Sequence, residues 1–113
     1  MRNLPYKRVV DILVAFFGSD IELLEVKKDG VKLCRLSILT RVTGNNYVAS
    51  SICEMPTWQD VLMHVLPAEL IPDKRNPPFQ DVGYVNRVSS YRHVGKAIKR
   101  DCRQNLYKTN REA

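Results

Sequence analysis

The sequence has few of the features that reveal a chemical function directly. Its 113 residues include three cysteines, which are widely spaced and odd in number, so a disulfide framework is not expected. The five glycines stand singly, so no glycine-rich phosphate loop is present. No apolar run approaches the roughly 18–20 residues that cross a bilayer, and we expect no membrane span. These absences favour a small globular domain.

Residue pairs suited to catalysis or metal binding are also missing. Zinc sites use closely spaced ligands, and no such pair is formed by Cys34, Cys53, Cys102, His64 and His93. Cys102 and His93 lie on one predicted helix at a separation of roughly 13 Å, which is too far for a catalytic dyad. We therefore expect no enzymatic activity, no cofactor and no metal.

The charge is distributed unevenly along the chain. Hydrophobic residues make up 44% and charged residues 27%, and the formal net charge is +6. Residues 1–80 contain ten basic and nine acidic residues, whereas residues 81–113 contain eight basic and three acidic ones. A nearly neutral body followed by a basic tail is typical either of a polyanion-binding protein or of a simply solvated surface.

The amino-terminal segment predicts an amphipathic helix. Asn3 is expected to cap it, Pro5 to lie in its first turn and Gly18 to end it. Apolar side chains recur between these positions at helical spacing: Tyr6, Val9, Val10, Leu13, Phe16 and Phe17. A secretory signal is the competing interpretation, but Asp11 inside the stretch and the lack of a small-residue cleavage site favour a core helix.

Three strand-like segments follow and predict an antiparallel meander. They span residues 21–28, 31–42 and 47–55. Asp29-Gly30 predicts a hairpin, because both residues accept positive φ, and residues 43–46 predict a second turn. Leu33 and Leu39 interrupt the alternation of the second segment, which indicates a bulge or a strand buried on both faces.

A second helix and a proline-rich strap lead to the basic carboxyl-terminal segment. Thr57 is expected to cap the second helix and Pro67 to end it, and the four prolines of residues 67–83 predict an extended strap. From Ser89 or Ser90 to about Lys108 the pattern predicts an amphipathic helix. Its apolar stripe consists of Tyr91, Val94, Ile98, Cys102 and Leu106.

The predicted fold class is α+β. A helix, a three-stranded antiparallel meander and a second helix are followed by the strap and the basic helix. We expect a compact domain over residues 1–83, with the strap at 67–83, and a basic amphipathic helix and tail over residues 84–113.

Several local features accompany this order of elements. Pro5 opens the first helix, Gly44-Asn45-Asn46-Tyr47 precedes the third strand, and Ala49 and Ser51 are small. In order and in these details, roughly residues 4–70 resemble the double-stranded-RNA-binding domain, which has a Gly-x-x-Tyr approach to strand three. That family holds phosphates with a lysine cluster at the start of its second helix, whereas residues 53–60 contain two acids and no lysine. The resemblance implies a fold of this kind whose usual RNA surface is lost, as in members that dock on proteins.

The basic helix carries the first functional hypothesis, a non-enzymatic protein that contacts RNA or DNA phosphates. Contact would release condensed counterions, and arginine can donate two hydrogen bonds to one phosphate. The candidate phosphate ligands are Arg87, Arg92, Lys96, Lys99, Arg100, Arg103 and Lys108. Tyr91 and Tyr107 would add base stacking on a single-stranded partner. No motif for sequence-specific reading is present.

The alternative hypothesis is a protein-interaction module, an adaptor or inhibitor that docks on a partner, including a host or viral machine. Trp58, Val94 and Ile98 are the candidate partner contacts. Trp58 is more often a core aromatic, and the basic face is equally typical of a solvated surface that closes a core. A membrane-surface helix is a weaker option because the stripe has neither Trp nor Phe. Free cysteines favour an intracellular location, cytoplasmic or nuclear.

Overall fold

The computed structural model describes residues 4–71 and 83–112, with side chains up to residue 105. It confirms the α+β fold class and the predicted order of helix, three strands and helices. The elements are α1 (Tyr6–Phe17), β1 (Ile21–Lys28), β2 (Val31–Thr43), β3 (Asn46–Met55), α2 (Trp58–Val65), a 3₁₀ turn (Ala68–Leu70), α3 (Tyr84–Ser89) and α4 (Arg92–Glu112). Most of the proline-rich strap lies outside the described residues.

The three strands form one antiparallel sheet in the order β1-β2-β3. Asp29 and Gly30 join β1 to β2 with φ of 52° and 80°, as the Asp-Gly pair predicts. The pairing of β2 with β3 shifts register between Leu36 and Ser37, which confirms the irregularity indicated by the broken alternation. Leu36, Ser37 and Ile38 are consecutive and all buried, so strict alternation is impossible there.

Helix α1 is the centre of the hydrophobic core. Gly18 ends it at φ 80°, and its N–H donates to Val14 O at 2.8 Å, as expected. The predicted start is wrong by a small margin, because Pro5 has an extended ψ of 142° and the first helical residue is Tyr6. The predicted cap, Asn3, lies outside the described residues.

Helix α2 begins as the sequence predicts. The Asp60 N–H donates to Thr57 Oγ1 at 3.1 Å, and the Thr57 hydroxyl donates to the Asp60 carboxylate at 2.8 Å. Val61, Leu62 and Val65 are buried against α1 and the sheet. This helix therefore closes the core on the side where the meander ends.

The carboxyl-terminal segment differs from the prediction of one helix starting at Ser89 or Ser90. A short helix, α3, precedes α4, and the chain turns between them at Ser90, whose hydroxyl donates to Arg87 O at 2.6 Å. Tyr84 and Val88 of α3 join the same buried cluster as α1. The division into domains at residues 83 and 84 stays a prediction.

Helix α4 crosses α1 at very short range. A Cβ atom at Gly95 would lie 2.1 Å from Phe16 O and 3.3 Å from Phe17 Cα, which no side chain tolerates. From the sequence alone, a glycine inside a helix is expected to destabilise that helix by about 1 kcal/mol relative to alanine. In the structure Gly95 is buried at the contact with α1. The glycine therefore permits a backbone contact that brings α4 onto the end of α1.

Candidate nucleic-acid interface

The basic residues of α4 are not equivalent, because three of them donate hydrogen bonds to the protein itself. Arg92 Nε donates to Ala15 O at 3.2 Å, and Lys99 Nζ donates to Ser19 O at 2.9 Å. These carbonyls lie in and just after the last turn of α1, where the helix lacks internal donors and carries partial negative charge. Arg92 and Lys99 therefore supply hydrogen-bond donors to carbonyls at the carboxyl-terminal end of α1.

Arg103 connects α4 to the sheet. Its Nε donates to Thr40 Oγ1 at 3.2 Å and its Nη2 to Leu39 O at 3.2 Å. The same Nη2 lies 3.8 Å from the Asp20 carboxylate. With its side chain about one third exposed, Arg103 is held in one orientation and still reaches the surface.

Lys99 lies in a positive electrostatic environment. It is 8% exposed, and burial is the largest cause of a pKa below its ordinary value of 10.5. Arg103, Lys96 and Arg92 lower that pKa further by repulsion, and Asp20 opposes them. An anion beside Lys99 would relieve this repulsion.

The solvent side of α4 forms an open depression of about 500 Å³. It is lined by His93, Lys96, Lys99, Arg100 and Arg103. Lys96 and Arg100 are exposed and, within the described part of the chain, form no ion pair. No acidic side chain is among the described residues that line it. We call these five residues the α4 basic surface; it is suited to anionic groups, and the acid nearest to Arg103 is Asp20, which lies 3.8 Å from it at the edge shared with the sheet.

A second depression, of about 430 Å³, adjoins the first. It is lined by Asp20, Leu39, Thr40, Arg41, Tyr47 and Arg103. Arg103 lines both depressions, so the basic surface of α4 continues onto the sheet. Arg41 and Tyr47 were not predicted as site residues. The predicted turn at residues 43–46 pairs Val42 with Tyr47, and the register shift between Arg41 and Thr43 places Arg41 opposite Tyr47 instead.

Other predicted nucleic-acid ligands are not among the five residues of this surface. Arg87 is on α3, with its guanidinium 5.5 Å from the Tyr84 ring centroid. Tyr91 packs against the core and stacks with His93, with ring centroids 6.3 Å apart. Tyr107 and Lys108 belong to α4, but their side chains are not described.

The residues predicted as partner contacts have neighbours within the fold. Val94 and Ile98 are half-buried and pack against the core. Trp58 also packs against the core and meets Tyr6 edge to face at a centroid distance of 5.9 Å. The apolar side of α4 is thus used to close the core.

The cysteines are poor candidates for nucleophiles. Burial raises the pKa of the Cys53 thiol to about 11 and is the main cause of raised pKa values at Cys34 and Cys102. Over residues 4–71 and 83–105, whose side chains the structure describes, no three side chains among His, Cys, Asp and Glu converge as a metal site would require. None of the helices in these ranges is both long enough and apolar enough to span a bilayer.

No protein-family model matches the chain, and no curated protein or solved structure is significantly similar to it.

Proposed function

We propose that this protein binds nucleic acid through phosphate contacts on the α4 basic surface. The observation that supports the proposal is the grouping of Lys96, Lys99, Arg100 and Arg103 around one open depression with no acidic residue among its described lining. The exposed charged residues of β1, by contrast, include both signs, Glu25 with Lys27 and Lys28.

The positions of Lys99 and Arg103 favour such binding. Both are already held by hydrogen bonds to carbonyls, so a phosphate that reaches them orders little additional side chain. Lys96 and Arg100 are exposed and can close on the phosphate from solution. Each neutralised phosphate releases counterions, which makes the affinity depend steeply on salt.

The expected binding does not read base sequence. No helix-turn-helix, zinc finger or ribonucleoprotein aromatic motif appears in the chain, and contacts to phosphate position a protein without specifying sequence. Affinity should therefore change little between probes of equal length and different sequence.

The test is fluorescence anisotropy with labelled single-stranded RNA, single-stranded DNA and their duplexes at about 50 and 200 mM salt. The full chain is compared with the double variant Lys96→Gln and Arg100→Gln, which leaves the hydrogen bonds of Lys99 and Arg103 in place. Affinity at low salt should fall about tenfold or more, and the slope of log affinity against log salt should shrink by about 2.

The matched control removes the same charge from elsewhere. Lys7 on α1 and Lys27 on β1 are exposed, so the variant Lys7→Gln with Lys27→Gln has the same net charge as the test variant. It should bind almost as the unaltered chain does. No binding of any probe at low salt, or equal losses in the two variants, would overturn the proposal.

A further inference from the structure

The second depression has a feature that phosphate binding alone does not use. The Tyr47 ring is 51% exposed at the start of β3, although an aromatic side chain gains most when it is buried. Arg41, its cross-strand neighbour on β2, places its guanidinium carbon 5.9 Å from the ring centroid. An exposed aromatic ring beside an exposed guanidinium offers two flat groups on which a planar ligand can stack.

This pair adjoins the α4 basic surface through Arg103. Arg103 lines both depressions and is fixed by hydrogen bonds to Thr40 and Leu39, which belong to the strand that carries Arg41. Arg103 therefore links α4 to the strand that pairs with Tyr47. A ligand with alternating anionic and flat groups would contact both depressions at once.

We infer that the preferred ligand is single-stranded nucleic acid, with its phosphates on the α4 basic surface and an unpaired base stacked on Tyr47. This inference rests on the proposed function and specifies its substrate class. Every base has a flat face, so stacking is tolerant of sequence, in agreement with the lack of a base-reading motif. In a duplex the bases are stacked on one another inside the helix and cannot reach the ring.

This inference places stacking at Tyr47 and not at Tyr91 or Tyr107, the two tyrosines that the sequence proposes. Tyr91 is half-buried and packs against the core, whereas Tyr47 is 51% exposed, so Tyr91 is less available. The exposed ring at the sheet edge takes the role that the sequence predicts for Tyr91.

The experiment compares strandedness and stacking in the full chain. The probes are a single strand of about 12 nucleotides in RNA and DNA form, the matching duplexes, and a strand with the same phosphates but abasic sugars. Tyr47→Ala should weaken binding to the ordinary single strands about tenfold and leave duplex and abasic binding unchanged. Tyr47→Phe keeps the ring and should bind like the unaltered chain.

Two further measurements make the outcome decisive. Tyr47→Leu keeps bulk and strand propensity without an aromatic ring, so it should reproduce the alanine result even where alanine weakens the sheet. Thermal melting followed by circular dichroism checks that each variant is folded.

The results separate the two proposals. If all probes bind with strong salt dependence, but single strands show no preference and no response at Tyr47, the stacking inference is wrong and phosphate binding stands. If no probe binds, the proposed function itself fails. A preference for RNA over DNA strands would show that the sugar contributes to recognition, and it would support both proposals.

Discussion

Two neighbouring stripes of cations on α4 have different surroundings. Arg92, Lys99 and Arg103 are spaced seven and four residues apart, so they fall on one line beside the apolar stripe. Arg92 donates a hydrogen bond to α1, Lys99 to the turn after α1, and Arg103 to β2. His93, Lys96 and Arg100 fall on the next line and face solvent. A small rotation around the helix thus separates cations that donate hydrogen bonds within the fold from cations that only face solvent.

The difference shows why a count of basic residues overstates a binding surface. Nothing in residue type distinguishes Arg103 from Arg100, yet one bridges to the sheet and the other forms no ion pair among the described residues. The inward stripe is expected to matter for both stability and ligand affinity, and the outward stripe for ligand affinity alone.

The largest effect is expected where the inward side of α4 meets α1. Gly95→Ala should lower the free energy of unfolding by about 3 kcal/mol, because the new Cβ would meet Phe16 O and the helices must separate. Chemical denaturation measures it, with the exposed Gln104→Ala on the same helix as control. Since alanine is otherwise the better helix former, a stabilised variant would show that the helices do not cross this closely.

A smaller effect separates the two stripes directly. Arg103→Met should lower the free energy of unfolding by about 1.5 kcal/mol, because it removes charged donors from Thr40 and Leu39. Arg100→Met makes the same chemical change on the solvent side and should stay within about 0.5 kcal/mol of the unaltered chain. Equal losses in the two variants would erase the distinction between inward and outward cations.

The smallest effect is a pH dependence at Lys99. Burial lowers the pKa of Lys99 in the folded protein below the ordinary value of 10.5. Between these two pKa values the unfolded chain binds more protons than the folded protein does. The free energy of unfolding therefore rises with pH in this range. The unaltered chain should therefore gain stability relative to Lys99→Met as the pH is raised from about 7 to about 10. Denaturation of both proteins at the two pH values measures this gain, and a constant or opposite difference would contradict it.

Much of the fold could be predicted because its signals are local. Asp29-Gly30 sets the first hairpin, Thr57 caps α2 and Gly18 ends α1, and each acts through backbone geometry or a hydrogen bond within a few residues. The break between α3 and α4 was missed, because the apolar spacing continues across it and Ser90 keeps a helical φ of −68°.

The candidate site was predicted in part. The basic helix was found from charge. The sequence proposes Tyr91 and Tyr107 for stacking because they share that helix with the cations, whereas the inference from the structure uses Tyr47. Tyr47 joins them only after Arg103 reaches across to β2, a contact 63 residues apart in the chain.

By itself, the sequence determined the order of elements, the turns and the charge of the last helix, since periodicity, caps and composition act over short distances. Only the tertiary structure decided which cations of that helix bond within the fold and which only face solvent. That choice depends on Gly95 meeting the backbone of Phe16 and Phe17, and on carbonyls of α1 and β2 that accept hydrogen bonds from Arg92 and Arg103. These contacts join residues distant in sequence, so no local pattern encodes them.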